Sequence, residues 1–461
     1  MRSYLFYDLE TSGLSKAFDQ VMQFAAIRVD ECLNEMARYE YSIAINKDII
    51  PSATAMITHG QPLLVEGPGE DEVIPVIRQL MMESYTWHGG YNTLSFDDEF
   101  LRYSFYRQLL DPYKHQYANQ CQRFDILPMV IMYHLFSPEG IKWPSIDGVI
   151  SYKLEHLNEE NNWALGAAHD AMVDVEVTLG LSQTLQKKEA IWSYVLSYFQ
   201  KSVDQNRTWQ FCDAHPDRVV IGVGLSLGKA SGCIAPMIVL PQLSSSNQIM
   251  LMRLDHEISG SKEALWDHAK LIRKKWGEPP FILPLNDRFR KRLSSDQLDL
   301  MKHHIASIQS NPKDWQAYCQ QCSQRSFDNE FSVDVDASLY LNGFYSADER
   351  MLCDAFLSEP DHRKSIIEQV DNPALEEQML RWLWRFDDHY QQDEAVERLN
   401  QKWLLSYQNN EMPLDLRGVK KRSPHDVMAE IKDIKENNNA LSAKQQSQLE
   451  DLRAYIKMRF E

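Results

Sequence analysis

Short apolar runs separated by turn residues fill the first half of the chain, and longer amphipathic stretches fill the last quarter. Ser3–Tyr7 is apolar and aromatic, stops at Asp8, and reads as a buried strand. Gln23–Val29 and Tyr41–Ile45 read as two more strands, and the short connections predict an antiparallel meander. Asp71–Met82 has helical spacing, and Tyr85–Tyr91 predicts a strand leading into a polar turn. Asp97–Leu109, Arg123–Phe136 and His169–Leu185 predict three further helices. Strands first, then strands alternating with helices, imply a mixed sheet covered by helices.

The texture changes after Lys188. Val219–Gly224, Cys233–Leu240 and Gln248–Leu254 read as strands of a small β-rich domain, with helices expected at Ser261–Trp276 and Ser294–Ile308. The extended, acidic Ser332–Gly343 marks a break. From Ser346 onward the pattern is helical and charged, punctuated by Pro360, Pro373 and Pro413. Gly222, Gly224, Gly228 and Lys229 hint at a phosphate loop, but Val223 stands where its first glycine belongs and Ala230 where Ser or Thr should hold magnesium. Strand-end turns account for them better.

Composition narrows the class. At 461 residues the chain is expected to form two or three domains. With 44% hydrophobic and 25% charged residues it reads as a soluble globular protein. No apolar run approaches the roughly 20 residues of a membrane span, and MRSYLFYDLETSG lacks the features of a signal peptide. A cytoplasmic protein without a membrane partner is the expectation. Seven scattered cysteines suit reduced thiols. Cys319 and Cys322 form one CxxC without a second pair, so two thiols a turn apart on a helix are expected rather than a zinc site. The net charge of −18 argues against a protein that coats nucleic acid, yet leaves room for a local basic groove.

Three acidic elements carry candidate chemistry. In YDLETSG, Asp8 and Glu10 follow an apolar strand, and residues i and i+2 share a strand face. Two carboxylates crowded there repel each other unless a cation lies between them; a solvated strand end is the alternative. In GYNTLSFDDEF, Asn92 and Ser95 suit a turn and a helix N-cap, which puts Asp97 in the first helical turn, where acids are common for dipole reasons alone. In AHDAMVDVE, His169 and Asp174 are five apart and would not share a face of one helix; if His169 sits in the loop just before it, its ring can swing towards the site as a general base, a lone surface histidine at a helix start being the alternative. Together they offer four carboxylates and a base. Phosphodiester hydrolysis asks for such a set: two metal ions about 3.5–4 Å apart activate water and stabilise the leaving oxygen.

These motifs resemble the histidine-bearing branch of the DEDD exonuclease superfamily, since Asp170 stands where the other branch has Tyr. The strings GYNTLSFDDEFLRYSFYRQLLDPY, SPEGIKWPS, SYKLEHL, AHDAMVDV and LYLNGFYSADER narrow the resemblance to the bacterial exonuclease I family, over nearly the whole chain. That resemblance implies an α/β, ribonuclease-H-like exonuclease domain over 1–188, an SH3-like β-rich domain with helical insertions over 189–337, and a helical domain over 345–461. Together these would enclose a groove for one strand. It implies 3′→5′ hydrolysis of single-stranded DNA to nucleoside 5′-monophosphates in DNA repair and recombination. Two Mg2+ ions, replaceable by Mn2+, would be held by Asp8, Glu10, Asp97 and Asp174, with His169 as base. Glu10, Lys153, Arg102, Tyr113 and Tyr117 would contact substrate, a solvated lysine and packed tyrosines being the alternatives. It further implies a monomer that binds the acidic C-terminal tail of single-stranded DNA-binding protein. The basic runs Arg273–Lys275, Arg288–Arg292 and Lys420–Arg422 could face DNA or that tail, or be solvated helix faces. Where the family has basic residues after Arg123, this chain has Ile131 and Ser137. The rival readings are a catalytically inactive single-stranded-DNA-binding or adaptor protein and a related RNA-trimming exonuclease.

Overall fold

The computed structural model describes residues 2–60, 62–166, 170–240, 247–257, 270–323, 331–437 and 441–460. The N-terminal part runs β1 (Ser3–Thr11), β2 (Val21–Val29), β3 (Glu35–Ser42), α1 (Ala53–His59), α2 (Glu70–Met81), β4 (Thr86–Gly90), α3 (Asp97–Arg107), β5 (Gln122–Asp125) and α4 (Ile126–Phe136). There follow the two-residue strands β6 (Ser145–Ile146) and β7 (Val149–Ile150), then α5 (Leu154–Asn161), α6 (Ala171–Gln186), α7 (Glu189–Leu196) and α8 (Lys201–Asp213). Next come β8 (Val219–Val223), β9 (Ile234–Val239), β10 (Gln248–Arg253), β11 (Leu271–Lys275), β12 (Phe281–Pro284), α9 (Asp287–Arg290), α10 (Ser295–Ser310) and α11 (Pro312–Ser323). The remainder is helical: α12 (Ala347–Ser358), α13 (Arg363–Ile367), α14 (Pro373–Phe386), α15 (Glu394–Asn409), α16 (Pro424–Asn437) and α17 (Ala443–Phe460).

Two compact units form. One comprises Met1–Gln122, Ala164–Glu176 and Asn329–Glu461; the other comprises Arg123–Trp163 and Val177–Asp328. In the first, strands run in the order β3-β2-β1-β4. β1 pairs antiparallel with β2 from Tyr4 opposite Val29 to Thr11 opposite Val21, and parallel with β4 from Ser3 opposite Thr86. The sheet is therefore mixed, as expected. β2 is buried along its whole length, Gln23 and Arg28 included, whereas β3 alternates half-buried and exposed residues.

The C-terminal helices join this unit through buried charge. Asp48 accepts from Arg385 Nη2 and Lys421 Nζ, each at 2.8 Å. Asp336 accepts from Arg385 Nη2 at 2.5 Å and Arg381 Nη1 at 2.8 Å, and Asp334 accepts from Arg381 at 2.7 Å. The acidic break at 332–343 is thus held to α14 by ion pairs. Around them Trp382, Leu383, Trp403, Leu452 and Ile456 build an apolar cluster with Ile49, Ile50 and Met56.

In the second unit the strands run β11-β10-β9-β8-β12, all antiparallel. Val220, Met237, Leu251 and Ile282 form its apolar core. Lys274 is fully buried beside it, its ammonium 2.6 Å from Asp204. Cys319 and Cys322 are free, buried thiols on α11.

Four sequence expectations give way. The strand expected at Tyr41–Ile45 lies earlier, at Glu35–Ser42; its charged, alternating side chains suit an exposed face and hide the strand from an apolar search. Arg123–Phe136 is not one helix, because Gln122–Asp125 is a strand and Asp125 caps α4 by accepting from Leu127 N. Ser95 is not an N-cap: its hydroxyl bonds Asn92, and Phe96 occupies the cap position. Of the helix expected at Ser261–Trp276, Leu271–Lys275 is a β-strand paired with β10, while 261–269 lie outside the described residues.

Candidate active site

β1 carries the first two carboxylates. Its alternation aims Asp8 and Glu10 at one face, and a register shift between Glu10 and Thr11 ends the regular pairing just past them. Asp174 arrives from the first turn of α6, whose start Asp170 caps by accepting from Met172 N at 3.1 Å. A further tie holds α6 to the sheet edge, where Glu176 pairs with Arg38 of β3. Ligand oxygens of Asp8, Glu10 and Asp174 all lie within 4.8 Å of one another, the one such cluster among the described residues.

Asp97 opens α3 and is buried. Its Oδ1 accepts from Leu9 N at 3.1 Å, so the backbone between Asp8 and Glu10 is fastened to the fourth carboxylate. Burial, then the charges of Asp97, Glu10 and Asp174, push the Asp8 carboxyl well above its ordinary value. Four acids in so small a volume cannot all be ionised comfortably without a cation. β4 closes in beside them. A Cβ on Gly90 would sit 2.2 Å from the carbonyl oxygen of Tyr7, the residue before Asp8.

Sequence reasoning missed what supports Asp97. The next residue, Asp98, is buried and accepts from Arg102 Nη2 at 2.7 Å, with His115 Nε2 at 3.3 Å from its other oxygen. Arg102 also pairs with Glu99, and its guanidinium lies 5.5 Å from the Tyr113 ring centre. The i,i+4 spacing of Asp98 and Arg102 was the available signal.

The remaining candidates fall as follows. Arg102 is 3% exposed and engaged with the acids of its own helix. Tyr113 is half-buried with its ring edge-on to Phe344, and Tyr117 is 65% exposed. Lys153, in the second unit, is exposed and 2.9 Å from Glu155. His169 lies outside the described residues. Of the basic runs, Lys274 and Lys421 are buried in ion pairs with Asp204 and Asp48, and Arg422 pairs with Asp19 at 2.8 Å. Arg288–Arg292 lies on and just after α9.

The donor set fits a hard divalent cation, which prefers carboxylate oxygens. Comparison with known proteins points the same way. An exonuclease family model matches residues 5–181, and exonuclease domains of this superfamily depend on divalent metal. Exodeoxyribonuclease I of Buchnera aphidicola from Acyrthosiphon pisum is 32% identical over 243 residues, covering 51% of this chain but only 58% of that protein. Exodeoxyribonuclease I of Buchnera aphidicola from Schizaphis graminum is 25% identical over 427 residues, 86% of each chain. Escherichia coli exonuclease I, solved in complex with a dA16 oligonucleotide, superposes over the whole of both chains with a TM-score of 0.80 at 21% identity. That likeness gives the fold: a ribonuclease-H-like exonuclease domain, an SH3-like β-rich region and a helical C-terminal region. The chain is thus similar to exonucleases over residues 5–181 and to exodeoxyribonuclease I relatives, and it spans little more than half the length of the more identical of these.

Proposed function

We propose that this chain is a 3′→5′ exonuclease that hydrolyses single-stranded DNA to nucleoside 5′-monophosphates, in DNA repair and recombination. The observation that carries the reading is the convergence of Asp8, Glu10 and Asp174, with Asp97 anchored to the backbone between the first two. In this reading Asp8, Glu10 and Asp174 hold one Mg2+ and Asp8 with Asp97 a second, Mn2+ being an acceptable substitute. Such ions, when bound, supply a water nucleophilic at neutral pH and charge stabilisation at the leaving oxygen. His169 takes the proton of the attacking water. Glu10, Arg102, Lys153 and Tyr113 orient the terminal nucleotides, Arg102 through the acids and rings it already touches; Tyr117, the fifth expected contact, lines a separate cavity. The functional segments are 1–188, 189–337 and 345–461, in a monomer that works in the cytoplasm. Its protein partner is the acidic C-terminal tail of single-stranded DNA-binding protein.

The test is degradation of linear and circular single-stranded DNA of one sequence, with duplex DNA and RNA beside them, in magnesium and then in EDTA. Mononucleotides released from the linear strand alone, and only with metal, are expected. Cutting of the circle would mean internal cleavage and would overturn the reading.

A further inference from the structure

Outside the carboxylate cluster, the first unit has a second polar concavity of about 230 Å3, at the junction of α2, the segment after α3 and α12. Arg78, Lys114 and Arg350 line it, with Asp111, Asp354 and the ring of Tyr117. The side chains of Arg78, Lys114 and Arg350 donate no hydrogen bond and form no ion pair among the described residues, whereas Arg28, Arg107, Arg381 and Arg385 are each engaged with a carboxylate. The Nε–H of Arg78 is closed off from solvent and has no acceptor. A half-buried guanidinium left without a partner is costly unless something outside the chain supplies one.

The wall acids Asp111 and Asp354 bear on Arg78 through their charge, but neither accepts a hydrogen bond from it. Asp111 uses Oδ1 to accept from the backbone N–H of Tyr113 and Lys114, at 2.9 and 3.0 Å, which shapes the turn. Tyr117 is 65% exposed and its ring stacks on no neighbour among the described residues. Three cations against two carboxylates leave a local excess of positive charge, in a chain whose net charge is −18. A phosphomonoester, with a charge of about −1.5 to −2 at neutral pH, matches that excess and accepts from several N–H donors at once. A cavity near 230 Å3 lies just below the roughly 300–1,000 Å3 of ordinary small-ligand sites, so it suits a single nucleotide rather than an oligonucleotide.

We propose that this cavity is a nucleotide site, which takes a nucleoside 5′-monophosphate with its phosphate on Arg78, Arg350 and Lys114 and its base against Tyr117. The assignment stands on the cavity's own residues. If the reading of the carboxylate cluster holds, the ligand is also the reaction product, and the cavity is where product feeds back on the enzyme.

Calorimetric titration of the full chain in EDTA, with dAMP, deoxyadenosine and inorganic phosphate as separate probes, tests this without metal-borne binding at the acidic cluster. dAMP should bind more tightly than either fragment. Arg78→Gln should weaken it by roughly tenfold or more, the scale of a lost charge-assisted hydrogen bond. The exposed Arg350→Gln should weaken it in the same direction, and serves if Arg78→Gln does not fold. Asp8→Ala should leave it unchanged. Equal affinity for dAMP and deoxyadenosine, or for dAMP and phosphate, would overturn the proposal. So would no binding at millimolar dAMP, unaltered binding by both arginine variants, or loss of binding in Asp8→Ala.

Discussion

Asp8 concentrates the electrostatic cost of the site. Its carboxyl is raised by burial and by three neighbouring acids, so between its unfolded and folded values the native state holds the extra proton. The metal-free protein therefore loses stability as pH rises through that window and keeps it below. In EDTA at pH 7, Asp8→Asn should melt above the native protein, and the gap should close as pH falls below about 4, the unfolded carboxyl value. Magnesium should raise the melting temperature of the native chain and not that of the variant; differential scanning fluorimetry reads both. Asp8→Ala should also lower single-strand cleavage by roughly 10²–10³-fold or more, the scale of removing one anchor of transition-state charge. His169→Ala should slow cleavage about 10²–10⁴-fold, as expected for loss of a general base, while magnesium still raises the melting temperature. A wild-type rate in that variant would remove the histidine from the chemistry.

At the scale of elements, β1, β4 and the start of α3 work as one piece. The bond from Leu9 N to Asp97 ties strand to helix, and the bare Cα of Gly90 lets β4 approach the Tyr7 carbonyl. Gly90→Ala forces backbone apart next to Asp8. It should cost about 1–3 kcal/mol in urea denaturation, the range for overpacking, and depress activity further than that loss of stability explains. The carboxylates were legible in the sequence because strand alternation alone puts Asp8 and Glu10 on one face. Asp97 was legible as a first-turn acid but not as a partner of β1, a contact between residues 88 apart. Elements whose residues follow apolar spacing, such as β2 and α2, lie within two residues of where the sequence puts them. Apolar spacing shifts β3 because its exposed face is charged, and it reads β11 as helix because Arg273 and Lys275 flank the buried Lys274, whose partner Asp204 lies 70 residues earlier. Burial of a lysine against a distant acid leaves no local pattern to read.

The first unit is completed by its most distant residues. Burial alone would raise the Asp48 carboxyl, but Arg385 and Lys421 outweigh it and hold Asp48 well below the ordinary range. Asp336 is lowered in the same way: burial opposes, and Arg385 and Arg381 prevail. A depressed carboxyl contributes stability above its unfolded value, near 3.9, which is lost as pH falls below it towards the folded value. Native protein should therefore lose melting temperature steeply below about pH 4, and Asp48→Asn should flatten that slope. At neutral pH the same variant should cost about 3–5 kcal/mol by leaving Arg385 and Lys421 short of a counter-charge in the interior. Thermal unfolding across pH, followed by far-ultraviolet circular dichroism, measures both effects.

That long reach sets a timetable for synthesis. Asp48 and Arg385 are 337 residues apart, so at about 5–20 residues per second the ribosome needs roughly 17–67 seconds between them. Tyr455, whose hydroxyl donates to the Ile49 carbonyl, comes later still. Asp8, Glu10, Asp97 and Asp174 are all translated well before then. The nascent chain thus carries its complete acidic cluster while the buried Asp48 still awaits its cations. A ribosome stalled before Arg385 would hold a chain with every carboxylate of the cluster present and the cations that neutralise Asp48 missing.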